Sequence, residues 1–211
     1  MTAPTGAATA THEGMVKVTD IERAVGDCAV YERGRRLPGR VPLSQVSEVA
    51  RSTDGFVWVG LQQPSASEVA AVAAEFDLPA LAVEDSVNAH QRPKIEVYDG
   101  IVFVVLKPVR YVDHDEVVEV EEIELFLGES FVVTVRHGQS TILRQVRMEL
   151  DSGQLANGRF DPTELNGPTA VLYRAADLMV DQYAQVMASI DEDLAEIEGM
   201  VFGAQEVDFA E

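Results

Sequence analysis

Apolar residues recur along this chain in two periods, and the switches between the periods mark out its elements. Residues 28–31 and 56–61 are short, nearly continuous apolar runs, as expected of buried strands. Arg35, Arg36, Pro38 and Gly39 lie in the connection between them. At Pro64-Ser65-Ala66-Ser67-Glu68 the pattern turns helical. Ser65 can cap a helix, and Glu68, three residues on, can reach back to it. Val69, Val72, Ala73 and Phe76 then share one face. Leu78-Pro79 ends that helix, and Pro79 starts a second, short one that finishes near Glu84-Asp85. Alternation returns in residues 95–98 and 101–106. They flank Asp99-Gly100, a pair suited to a tight type I′ hairpin.

A third strand is expected over residues 117–127. Its apolar set shifts phase from Val118 and Val120 to Ile123, Leu125 and Leu127, which predicts a bulge or bend at Glu121-Glu122. Residues 131–136 form a fourth strand of the run. A helix over 141–150 follows, with Leu143, Val146 and Leu150 inward. Residues 151–169 read as a loop, and Pro168 suits the first turn of a long last helix over about 169–202. Along it Leu172, Ala176, Met179, Tyr183, Val186, Ile190, Leu194, Ile197 and Val201 make a heptad-like seam, which suits a helix packed on a neighbour. The order predicts an α/β or α+β sandwich with a helical arm. Residues 1–14 are expected to be a disordered tail, 15–168 the sandwich domain, and 169–211 the arm.

Charge changes this picture. Sixteen basic against 36 acidic residues leave −20, a field that disfavours nucleic acid and anionic membrane surfaces and draws cations. Acidic surfaces commonly do no more than keep a protein soluble, but here the charge is concentrated. Residues 151–211 hold 13 acidic residues and two basic ones, and residues 113–129 hold eight acidic residues and no Lys or Arg. Cys28 is the only cysteine, so no internal disulfide forms and a reducing compartment fits. No segment reaches the roughly 18 apolar residues of a membrane helix, and the start of the chain lacks the pattern of a signal peptide.

The chemistry narrows to carboxylates. His12, His90, His114 and His137 are scattered and form no zinc spacing. No nucleophile-elbow, P-loop or dinucleotide fingerprint is present, and no nucleophile-plus-base pair stands out, so the residues do not support an enzyme. Asp177 and Asp181 share a helix face, where like charges repel by a few tenths of a kcal/mol unless a cation or basic partner intervenes (about 0.2–0.5). Asp191-Glu192-Asp193, Glu196 and Glu198 add a denser patch without the glycine and loop spacing of an EF-hand. A solvated helix face is the ordinary role of each. Glu84-Asp85 sits before a turn and beside Arg92 and Lys94, where a local salt bridge of about 0–1 kcal/mol is the plain alternative. Pro93 holds Arg92 extended and marks a strand entrance.

Taken in order, these segments resemble a known family. Leu78-Pro79, Val83-Glu84-Asp85, His90-Gln91-Arg92-Pro93-Lys94-Ile95-Glu96 and Val102-Phe103-Val104-Val105-Leu106-Lys107 look like the cytoplasmic domain of CorA-type magnesium transporters, of the CorA/ZntB superfamily. Phe131-Val132-Val133-Thr134, Asp177-Leu178-Met179-Val180-Asp181-Gln182-Tyr183 and Ile190-Asp191-Glu192-Asp193-Leu194 continue the match downstream. The resemblance implies an α-β-α sandwich with a mixed central sheet, assembled as a homopentamer in the inner membrane of the cell with this domain cytoplasmic. It implies Mg²⁺, or Co²⁺ and other divalent cations, held between neighbouring subunits to gate a pore. Glu84 and Asp85 carry over as ligands, with Asp181 and its neighbour Asp177 behind them. A stalk and two membrane helices with a Gly-Met-Asn signature are expected further on; Gly199-Met200-Val201 is not that signature, so the chain is expected to be a regulatory domain without its pore. A ZntB-like zinc transporter domain and a stand-alone acidic interaction module are the other readings, and a metal-dependent hydrolase built on Asp177 and Asp181 lacks its base.

Overall fold

Strand pairing between segments far apart in sequence organises the molecule. The computed structural model describes residues 25–152 and 167–203. The expected N-terminal tail, most of the 151–169 loop and the end of the arm lie outside the described residues. Strands β1 (Val25–Glu32), β2 (Arg35–Arg36), β3 (Phe56–Gln62), β4 (Lys94–Tyr98), β5 (Ile101–Leu106), β8 (Glu122–Leu127) and β9 (Phe131–His137) form one sheet, in the order β2-β1-β3-β9-β8-β5-β4. The β3–β9 pair is parallel and the others are antiparallel. Strands β6 (Val109–Val112) and β7 (Val117–Val120) form a separate two-stranded sheet.

Helices cover both faces. On one, α1 (Val46–Ser52), α2 (Ala66–Phe76) and α3 (Ala80–Asn88) place Val46, Ala50, Val72, Phe76 and Ala82 against Val57, Val59, Phe103, Phe126 and Val133. On the other, α4 (Ile142–Asp151) and α5 (Pro168–Phe202) place Ile142, Val146, Leu150, Val171 and Ala175 against Trp58, Ile123, Leu125 and Val132. The result is an α-β-α sandwich with a mixed central sheet and a long C-terminal helix. Trp58 is buried at its middle and its Nε1–H donates to Thr134 Oγ1 at 2.9 Å. The Arg147 guanidinium lies 4.0 Å from the Trp58 ring centre and donates to Asp27 at 2.7 Å, which ties α4 to the sheet.

Most local expectations hold for their stated reasons. Ser65 and Glu68 form a capping box at α2. Asp77 ends α2 in the left-handed region, at φ 51°. Asp99 and Gly100 both have positive φ, 42° and 89°, as a type I′ turn demands. Three expectations need correction. Residues 117–127 are two strands rather than one bulged strand: β7 pairs with β6, the Glu121 amide donates to Pro108 O at 2.9 Å, and β8 then enters the main sheet. The phase shift marks a change of sheet. The connection after β2 holds a short 3-10 turn, Leu43–Gln45, and α1, whose seven residues show only Val46 and Ala50 to the core, too few for a visible period. The inward face of α5 is Val171, Arg174, Ala175 and Leu178, one residue off the seam. Beyond Val186 the seam residues Ile190, Leu194, Ile197 and Val201 are exposed, because a 35-residue helix about 52 Å long outreaches the sheet.

Arg174 is nearly buried between α4 and α5. It donates to both oxygens of Glu149, at 2.6 and 2.8 Å, and to Asp177. The Arg174 hydrogen bonds hold the Glu149 carboxyl below its usual value of 4.5, against the opposing effect of burial. A carboxyl depressed in the folded state adds stability above its unfolded value and loses it as pH falls through the lowered one. Denaturant unfolding between about pH 3 and 6 is therefore expected to show a shallower acid loss in Glu149→Gln than in the parent. Equal slopes would remove this pair from the acid response.

Candidate functional site

Helix α3 carries the acidic pair singled out in the sequence. Pro79 precedes its first turn and Ala89 closes it, so Glu84 falls at its midpoint and Asp85 begins its last turn, which has no basic residue. Glu84 is exposed. Asp85 is partly covered and accepts from Lys94 Nζ at 2.6 Å, and the same ammonium reaches Glu96 at 2.8 Å. The salt bridge weighed in the sequence is thus formed. At 25% and 29% side-chain exposure it is a surface pair of about 0–1 kcal/mol. Asp177 is paired with Arg174, and Asp181 is exposed on the next turn of α5. Among the described residues no hydrogen bond or ion pair joins Glu84 or Asp85 to Asp177 or Asp181. Asp193 accepts a hydrogen bond from Tyr111 Oη, and Tyr183 Oη donates to Lys107 O at 2.5 Å, which fastens α5 to the β6 side.

The structure brings together a different set. In the β8–β9 ladder Glu122 stands opposite His137, and Glu124, two residues along, faces the same side. That side is covered by α3, so both carboxylates are buried, at 4% and 0% exposure. Lys107 pairs with Glu122, and the Gln91 amide donates to Glu122 Oε2 at 3.0 Å. His137 Nε2 lies 3.1 Å from Ser86 O and 3.9 Å from Glu124 Oε2. Burial pushes the Glu124 carboxyl up to about 8; nearby Ser86 opposes this, while Glu122 and Asp85 reinforce it. Ala89 and His90, at φ 52° and 60°, form a strained turn between α3 and this cluster. Gln91 holds the turn through Glu122 and, with its side-chain amide, through Asp85 O at 3.4 Å and Ala89 O at 3.3 Å.

Sequence reasoning missed the cluster. Glu122 and Glu124 alternate with apolar residues, as in a strand with one wet face, and His137 looked isolated. The available signal was the run of eight acidic residues without a cation in residues 113–129, part of which had to be buried if β8 were central.

Comparison with known proteins places the molecule. The profile of the family described as CorA-like Mg2+ transporter protein matches residues 53–210. The chain belongs to this family. It is 31% identical over 154 residues to the putative metal ion transporter YfjQ of Bacillus subtilis, covering 72% of this chain and 44% of that one. It is 29% identical over 125 residues to the cobalt/magnesium transport protein CorA of Thermotoga maritima, covering 58% of this chain and 33% of that one. It spans less than half the length of both relatives. In fold it is similar to the full-length CmaX protein, with a TM-score of 0.66 at 18% identity, over 86% of this chain and 53% of the other. The soluble domain of CorA from Methanocaldococcus jannaschii gives a TM-score of 0.59 at 11% identity, over 83% and 64%. No helix among the described residues is long and apolar enough to cross a membrane.

The Lys107–Glu122 pair sets a stability prediction. Lys107→Met leaves a buried carboxylate without its cation, and urea unfolding at neutral pH is expected to report a loss of about 3 kcal/mol. Adding Glu122→Gln is expected to restore part of it. A loss below about 1 kcal/mol would mean that the pair behaves as a solvated surface bridge.

Proposed function

We propose that this chain is the cytoplasmic regulatory domain of a CorA-like divalent-cation transporter, and that it senses Mg²⁺ through Glu84 and Asp85 where subunits meet. The observation that carries the reading is the placing of this pair on α3. Glu84 is exposed, and the carboxylate of its neighbour pairs with the surface Lys94. The C-terminal end of a helix carries a negative partial charge, which adds to the pull of the carboxylates on a cation. Mg²⁺ keeps most of its waters and commonly uses one or two carboxylates, so a shallow pair suits it and holds it weakly. Weak binding matches the sensing of an abundant ion.

Gating follows from charge. Copies carrying −20 each, gathered as a pentamer around one axis, repel. Bound Mg²⁺ neutralises the facing carboxylates and favours the closed assembly; its loss lets repulsion open it, a ligand biasing a two-state equilibrium. Asp181, exposed on α5, is a further carboxylate available to such an interface.

Calorimetric titration with Mg²⁺ tests the site. The parent chain is expected to bind weakly, with an affinity that falls as salt rises. The Glu84→Ala/Asp85→Ala variant is expected to bind several-fold more weakly. Unchanged binding in that variant would sink the assignment.

A further inference from the structure

A sensor built on surface carboxylates leaves the buried cluster beneath α3 without a role. One possible ligand atom from each of Glu122, Glu124 and His137 lies within 4.8 Å of the others. Lys107 and the Gln91 amide occupy Glu122 Oε2. Its Oε1 and both oxygens of Glu124 have no hydrogen-bond partner. Ser86 Oγ, fully buried in the overlying helix, is also unsatisfied. It lies near enough to Glu124 to act on its proton equilibrium, yet forms no well-shaped hydrogen bond with it. Orphan buried groups cost about 1–3 kcal/mol each, and native proteins rarely leave several in one place. A proton on Glu124, shared with Glu122 Oε1, is one way to satisfy them, and it leaves His137 outside the arrangement. A cation meets the carboxylate oxygens together.

We propose that Glu122, Glu124 and His137 form an internal binding site for a divalent transition-metal ion of the zinc and cobalt class, separate from the surface pair on α3. The donor set sets the class. Imidazole nitrogen with carboxylate oxygen suits zinc and cobalt, whereas Mg²⁺ favours oxygen alone and keeps waters for which this buried space has little use. Charge also fits: Lys107 balances one carboxylate, so the cluster carries −1 once an entering metal has displaced the Glu124 proton. The His137 side chain is 22% exposed, the most accessible of the three. Ligation through Nε2 puts the ring proton on Nδ1 and exchanges the contact with Ser86 O for the metal bond.

Titration of the metal-free 211-residue chain with Co²⁺ tests this, read by visible absorption. The bound ion is expected to show the intensified spectrum of a low-coordinate site with an imidazole ligand. Zn²⁺ is expected to displace it, and millimolar Mg²⁺ to leave it in place. His137→Gln and Glu124→Gln are each expected to weaken Co²⁺ by about tenfold or more, since even residues supporting a ligand cost that much. The Glu84→Ala/Asp85→Ala variant is expected to keep the intensified Co²⁺ spectrum, which separates this site from the Mg²⁺ one. His137 lies at a strand end, so His137→Gln carries the test if Glu124→Gln does not fold. Parental affinity in His137→Gln, a spectrum no stronger than that of aqueous Co²⁺, or loss of the signal to Mg²⁺ or in the Glu84→Ala/Asp85→Ala variant would each overturn the proposal.

Discussion

Strand β9 lies between β3, its parallel partner from Val57↔Phe131 to Gln62↔Arg136, and β8, its antiparallel partner. This parallel register closes a loop of some seventy residues and joins the two halves of the sheet. It puts β8 and β9 in the interior, with α3 over one face and α5 over the other. Every residue of β8 is buried, and the consequence is chemical as much as structural. A Glu-x-Glu strand at a sheet edge would be solvated. Here it buries two carboxylates beside a lysine and a histidine.

Two electrostatic regimes therefore coexist in one acidic chain. On the surface, Glu84, Asp181 and the outer half of α5 sit in water, where charges interact by about 1 kcal/mol or less and salt screens them. Inside, burial makes an uncompensated carboxylate expensive by several kcal/mol, so the groups must share a proton, pair with Lys107 or take up a cation. Helix α3 lies between the regimes, with Asp85 turned to Lys94 and Ser86 turned to Glu124 and His137. The left-handed turn at Ala89 and His90, tied to Glu122 through Gln91, links them in covalent sequence.

Legibility in the sequence followed the range of the interactions. The Ser65 capping box, the Asp99-Gly100 hairpin and the break at Leu78-Pro79 depend on residues within a few positions of one another, and all were readable. The family was readable too, through an ordered set of short segments. Helix α1 escaped because two buried positions make no period. The phase shift in residues 117–127 is visible in the sequence but its cause is not, since a bulge and a change of sheet leave the same trace in one strand. On α5 the seam was visible, but which side of it meets the sheet was decided by the docking of Val171, Ala175 and Leu178.

The sequence by itself determined the mixed α/β character, the positions of most strands and helices and the concentrated negative charge. These follow from local sterics, side-chain period and summed charge. Only the tertiary structure decided that β8 is central, that Glu122 and His137 are cross-strand neighbours, and that Ser86 roofs them. Strand order and register come from pairing between distant segments, and one residue of slip would turn Glu122 and Glu124 to the opposite face. The buried cluster exists because of that register.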